Sequence, residues 1–229
     1  MTDIELQALW LSLQVATAAT LLSLPVALAL ALVLARGRWP GKALLEALVN
    51  LPLVLPPVVI GYALLVGFGR QGPIGRWLHD QFDITLVFTF RGAVLAAAVM
   101  ALPLMVRAVR QALEAVDRGL EDAARTLGAS RLDAFASVTL PLAAPGLLSG
   151  AVLGFAASLG EFGATITFVS NVPGQTQTLP LAIYSALQSA DGEAAALRLV
   201  GLSVALALAA LALAQWSHRR MARWLGPAR

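Results

Sequence analysis

One carboxylate, Glu161, stands inside a long apolar stretch of this 229-residue chain, with Ser158, Thr165 and Thr167 close to it in sequence. An ionisable residue inside a membrane-length apolar run marks a functional site by default, and hydroxyls can donate to a passing anion without a fixed charge. An oxyanion is repelled by a carboxylate, by roughly 4 kcal/mol for unit charges about 4 Å apart at an effective dielectric near 20. Glu161 therefore reads as a structural acceptor of hydrogen bonds from a neighbouring helix. Ser158, Thr165 and Thr167 read as the groups that would meet an anion. No Arg falls in mid-span, so the expectation is a low-affinity conduit. Pro52, Pro56 and Pro57, followed by Gly61, remove backbone donors, which a membrane tolerates only beside protein or a water-filled cavity. Pro56 and Pro57 are accordingly placed at a broken helix facing the pathway.

Other motifs supply no catalysis. GFGRQG, 67–72, matches G-x-G-x-x-G but closes an apolar run and opens no βαβ unit; GRWPGKA, 37–43, is one residue short of a P-loop and has Ala43 where magnesium needs Ser or Thr. His79 and His218 are expected in different aqueous compartments. No cysteine is present, which excludes disulfides and thiolate metal sites. Any energy must come from another chain.

A second cluster is built for contact. Residues 120–142 read LEDAARTLGASRLDAFASVTLPL. Val116, Leu120 and Leu127, with Ala123 and Ala124, recur at helical spacing; Gly128, Ala129 and Ser130 interrupt, and Leu132, Phe135 and Val138 resume. The spacing predicts helix, turn, helix. Ala124 and Gly128 leave one side flat, with Glu121, Asp122, Arg125 and Arg131 around it. A helix lying on lipid headgroups favours bulky apolar residues and mostly basic polar ones. Alanines with mixed charge suit a protein groove better.

The elements that position these clusters are membrane spans. Hydrophobic residues make up 59% of the chain and charged ones 13%, against about a quarter charged in ordinary domains. Crossings are expected at roughly 9–35, 44–68, 90–110, 139–163 and 195–216, each long enough for a hydrocarbon core about 30 Å thick. The first exceeds a signal-peptide h-region and reads as a retained span. Residues 178–188 are too short to cross and are expected as a short helix at the outer surface. Gly146, Gly150, Gly154 and Ser158 recur every four residues, a small-residue packing face serving either the bundle or a dimer axis. Arg36, Arg38, Lys42, Arg107, Arg110, Arg118, Arg125, Arg131, Arg219, Arg220, Arg223 and Arg229 fall on one side of this topology, and Arg70, Arg76, Arg91 and Arg198 on the other. The positive-inside rule then puts the N-terminus outside and the C-terminus, with the 120–142 segment, in the cytoplasm. The whole of 1–229 is expected to be one transmembrane domain with a cytoplasmic loop at about 111–138.

Asp122-Ala123-Ala124, Gly128, Val138 and Leu140-Pro141 keep every spacing of the pattern acidic-Ala-Ala, three residues, Gly, nine residues, apolar, any residue, Leu-Pro. This resembles the EAA loop of ABC importer permeases, where Glu usually occupies the position of Asp122. Residues 50–65, 91–117 and 158–184 look like the permease subunits of bacterial molybdate importers; sulfate and tungstate permeases share much of the SLGEFGA stretch. The resemblance implies an all-α integral membrane fold, a type I ABC importer permease-like bundle of about five transmembrane helices. It implies a coupling helix in which Glu121, Asp122, Ala123, Ala124, Arg125, Gly128, Leu140 and Pro141 meet an ATPase. It also implies a homodimer, two cytoplasmic ABC ATPase subunits and a periplasmic or extracellular molybdate-binding protein, in the bacterial cytoplasmic membrane. ATP and magnesium would belong to the ATPase, with no catalytic residue, cofactor or metal in this chain. Two rivals stand beside it. A secondary anion transporter would show inverted repeats and midplane charges, neither of which the sequence carries; the other is a membrane anchor or sensor recruiting a partner through the same helix pair.

Overall fold

Thr2 opens the first helix: its hydroxyl accepts the Glu5 N–H at 3.3 Å while the Glu5 carboxylate accepts the Thr2 N–H at 2.9 Å. This reciprocal cap starts α1 at Asp3, ahead of the apolar run, and α1 continues to Arg36. The computed structural model describes residues 2–37 and 39–224. Arg38 and Arg229 lie outside the described residues, as do the side chains of His218, Arg219, Arg220 and Arg223. After α1 come α2 (Lys42–Val54), α3 (Pro57–Phe68), α4 (Pro73–Phe82), α5 (Phe90–Ala115), α6 (Arg118–Thr126) and α7 (Arg131–Ala134). A π-helical turn, Phe135–Thr139, joins α7 to α8 (Leu140–Leu159), followed by α9 (Gly163–Val169), α10 (Leu179–Leu187) and α11 (Glu193–Trp224). Among the described residues every regular element is helical.

Helices α1, α5 and α11 and the run Arg131–Leu159 are each long and apolar enough to cross a membrane. The expected span at 44–68 is instead two helices, α2 and α3, bent by 115°. The Leu55 N–H closes α2 on Leu51 O at 3.0 Å. Pro56 then sits extended, at φ −55° and ψ 136°, and Pro57 starts α3, where a missing N–H costs nothing.

The core decides whether this bent pair crosses. Leu11, Val15 and Ala19 of α1 share one buried cluster with Ala93, Val94 and Ala97 of α5. Ala27, Ala31 and Leu34 share a second with Met105, Val109 and Leu113. Helices α1 and α5 therefore run parallel, and the chain between them must return. Val49 of α2 lies in the second cluster and Ile60 and Leu64 of α3 in the first, so the pair passes from one end of the bundle to the other as a broken crossing. The start of α11 lies beside the start of α1, where Arg198 donates to the Glu5 carboxylate at 2.8 Å. Arg36, Lys42 and α6 thus gather at one end, and Arg70, Arg91 and Arg198 at the other.

The glycine face of α8 packs inside the chain, against α5. A Cβ on Gly150 would stand 3.0 Å from Val109 Cγ2, while Gly146 faces Ala112 and Gly154 faces Met105. The 178–188 segment forms the short helix expected, α10, with Tyr184 and Leu187 exposed. One face is in the core: Leu179 and Ala182 pack with Ala8 and Leu199, and Leu181 is also buried. The Leu179 N–H donates to Ser12 Oγ at 2.6 Å.

Candidate coupling surface and membrane pathway

Helix α6 is short, polar and almost free-standing. The Asp117 carboxylate accepts the Gly119 N–H at 2.8 Å and starts it. At its far end the Gly128 N–H bonds Arg125 O and the Ala129 N–H bonds Ala124 O, both at 3.1 Å. Gly128 has φ +97°, a backbone that favours glycine. Ser130 then caps α7 with Asp133. Helix α5 continues to Ala115, and α6 stands between breaks at 116–117 and 127–130. Val116, expected to begin the α6 stripe, packs instead on the buried cluster of α1 and α5.

No residue of α6 is buried. Asp122, Ala123 and Arg125 are exposed, with Asp122 and Arg125 3.7 Å apart, and Ala124 is half-buried. Leu127 is 89% and Leu132 79% exposed, two apolar knobs flanking the Gly128 turn. Glu121 points the other way. Its carboxylate accepts from the Arg36 guanidinium at the end of α1 and from the Thr139 hydroxyl, and Arg36 stacks over the Phe135 ring at 5.6 Å. Sequence placed Glu121 among the outward charges; the structure turns it inward. Leu140 is half-buried and Pro141 exposed at the head of α8. The Leu140 N–H reaches back to Phe135 O, a widened π turn just before a proline ring that would crowd an ordinary α turn.

Glu161 sits in the turn after α8 and is 8% exposed. Its carboxylate accepts the Ala164 N–H at 2.7 Å, with the Thr165 and Phe162 N–H groups also bonding it. It thereby satisfies the unpaired donors that open α9. The acceptor role expected from sequence is met by the helix that follows it in the chain. Glu161→Ala should lower stability by about 1–2 kcal/mol, read as a drop in the melting temperature of the detergent-solubilised protein. Glu161→Gln, which keeps one acceptor, should lose less.

Helix α9 lies against α3. A Cβ on Gly61 would come within 2.6 Å of Ala164 O, and one on Gly163 would stand 2.8 Å from Pro57 Cβ. The broken crossing and Glu161 are thus joined through α9, while Pro56 and Pro57 are exposed at the bend. Ser158 is 4% and Thr165 1% exposed. Among the described residues Ser158 Oγ finds no hydrogen-bond partner, and Thr167 donates to Gly163 O at 2.8 Å. In this conformation Ser158 and Thr165 face the inside of the chain. Sequence reasoning did not place α9 or α4. Gly72-Pro73 and the spacing of Ile74, Trp77, Leu78 and Phe82 carried a signal for α4; seven residues gave almost none for α9.

A family model described as binding-protein-dependent transport system inner membrane component matches residues 23–223. The molybdenum transport system permease protein ModB of Escherichia coli strain K12 is 58% identical over 219 residues, 96% of each chain. ModB of Haemophilus influenzae is 53% identical over 97% of each. The sulfate transport system permease protein CysT of Salmonella typhimurium is 42% identical over 73% of this chain and 60% of its own. Among solved structures, the inward-facing MetNI methionine ABC transporter matches with a TM-score of 0.72 at 19% identity, covering 97% of this chain and 100% of that one. A bacterial ABC transporter that imports alginate matches at 0.76 and 17%, covering 96% and 80%. These two share the fold. With a broken crossing, four further membrane-length helices and a match over most of its length, this chain belongs to the binding-protein-dependent transport system inner membrane components, a family of multi-pass permeases.

Proposed function

We propose that this chain is the permease subunit of an ATP-driven importer that moves molybdate across the bacterial cytoplasmic membrane by alternating access. The observation that carries the reading is α6: an unburied rod with apolar knobs at its tip, held at the basic end of the bundle. The positive-inside rule puts that end in the cytoplasm, with the N-terminus outside. Asp122, Ala123, Ala124, Arg125 and Gly128 then present a surface to one of two ATPase subunits, which hold the ATP and magnesium. Glu121, Leu140 and Pro141 tie that surface to α8. Two copies of the chain would enclose the path. The exposed Val54, Val58 and Tyr62 at the bend offer a face for the second copy, with Pro56 and Pro57 exposed beside them and Ser158, Glu161, Thr165 and Thr167 behind it. ATP binding draws the ATPases together and α6 carries the motion into the spans, opening them outward. A binding protein releases its oxyanion into the cavity, and hydrolysis restores the inward-facing state.

The identity to molybdenum permeases supports the choice of anion. Uptake of radiolabelled molybdate into proteoliposomes holding the full complex tests it. Unlabelled molybdate should suppress uptake at least tenfold more effectively than sulfate. Equal suppression by sulfate would assign a sulfate permease, and uptake without ATP a secondary transporter.

A further inference from the structure

We infer that Arg36 is the positioning residue that braces the coupling helix against the bundle, so that movement of α6 is delivered to α1 and α8 together. The inference rests on the coupling role proposed for α6 and names the contact through which that role acts. Three separate elements converge on one carboxylate. Arg36 is the last residue of α1, a helix end that favours a cation. Its Nη2 donates to Glu121 on α6 and lies 3.4 Å from Thr139 Oγ1, and Thr139, fully buried at the head of α8, donates to the same Glu121 oxygen. The Phe135 ring lies against the guanidinium at 5.6 Å.

The rest of the geometry makes this contact the brace. Because α6 buries no residue, apolar packing does not hold it. It is bounded by the 116–117 break on one side and the Gly128 turn at φ +97° on the other, two points where the rod can pivot. Without the Arg36–Glu121–Thr139 contact, a push on α6 would be taken up at those pivots. With it, the push reaches α1, which packs along both α5 and α8.

The test uses the full complex with its ATPase and binding-protein subunits in proteoliposomes, reading molybdate taken up per ATP hydrolysed. Arg36→Gln and Glu121→Gln should each lower that ratio at least fivefold while the ATPase subunit still copurifies. The charge-reversed pair Arg36→Glu with Glu121→Arg should recover at least half of it, a rescue that a merely structural side chain would not give. A wild-type ratio in both single variants overturns the brace. Failure of the wild-type chain to copurify an ATPase overturns the coupling role itself, which keeps the two ideas apart. If the single variants do not assemble, Arg36→Cys with Glu121→Cys, in a chain that has no cysteine of its own, gives a second measurement. Bridging that pair with a short bis-maleimide should raise the ratio at least threefold, and no change on bridging overturns the brace.

Discussion

Gly128→Trp should insert into the membrane at normal levels, yet lower ATP-driven uptake at least tenfold and leave ATP hydrolysis by the complex uncoupled from it. Gly128 closes α6 at φ +97°, and a Cβ there would meet nothing within 4 Å. The folded chain therefore has room for the indole, and the cost within it is backbone strain of roughly 1–2 kcal/mol for a non-glycine residue in the left-handed region. That is small against the packing of the spans, so loss of uptake would report on what docks at the turn. Gly128→Asn separates the two causes, since Asn tolerates this backbone and adds little bulk; it should keep most of the uptake. Leu127→Asp attacks the same surface without touching the backbone. Its side chain is 89% exposed, so removing it costs almost no internal packing, and a large fall in uptake would show that the leucine is buried by a partner. Normal uptake by both Gly128→Trp and Leu127→Asp would remove α6 from the mechanism.

The readings that held were those written in local pattern. Helical spacing around Leu120, the glycine turn and the Leu-Pro entry into the next span all sit within about two dozen residues, and composition alone marked the crossings. Proline chemistry located the break at 55–57, but not its size: a run that reads as one crossing is bent by 115°, since its direction is set by packing of α3 on α9 and α2 on α5. Contacts between distant segments were not legible. Glu121 looked like one more outward charge because its partner Arg36 is 85 residues away. Ser158 belongs both to the hydroxyl set and to the small-residue stripe, and its burial here depends on how closely α5 approaches α8, which the sequence does not show. The glycine repeat showed that something approaches α8 closely, without showing what.

That approach sets up an ordered series of effects. Replacing glycine by alanine inside a helix normally gains about 1 kcal/mol, so Gly146→Ala, Gly150→Ala and Gly154→Ala would all stabilise α8 if the stripe faced lipid. Against α5 they should differ. A Cβ on Gly146 collides with Ala112 Cβ, a short side chain that cannot move without its backbone, so the two helices must separate. That overpacking costs typically 1–3 kcal/mol, enough to cancel the propensity gain and lower the melting temperature. At Gly150 the new methyl would stand 3.0 Å from Val109 Cγ2 and 3.3 Å from Met105 O, the mildest of the three contacts, so that variant should be close to neutral. At Gly154 the new methyl meets the Met105 side chain, whose Cγ would stand only 2.7 Å away and which is fully buried; methionine can adjust its rotamer but has little room to do so, an intermediate case. Thermal unfolding in one detergent should therefore rank them Gly146→Ala least stable and Gly150→Ala most. Leucine at 146 should prevent assembly of the bundle altogether, because the α8 face that buries against α5 has no space for a branched side chain.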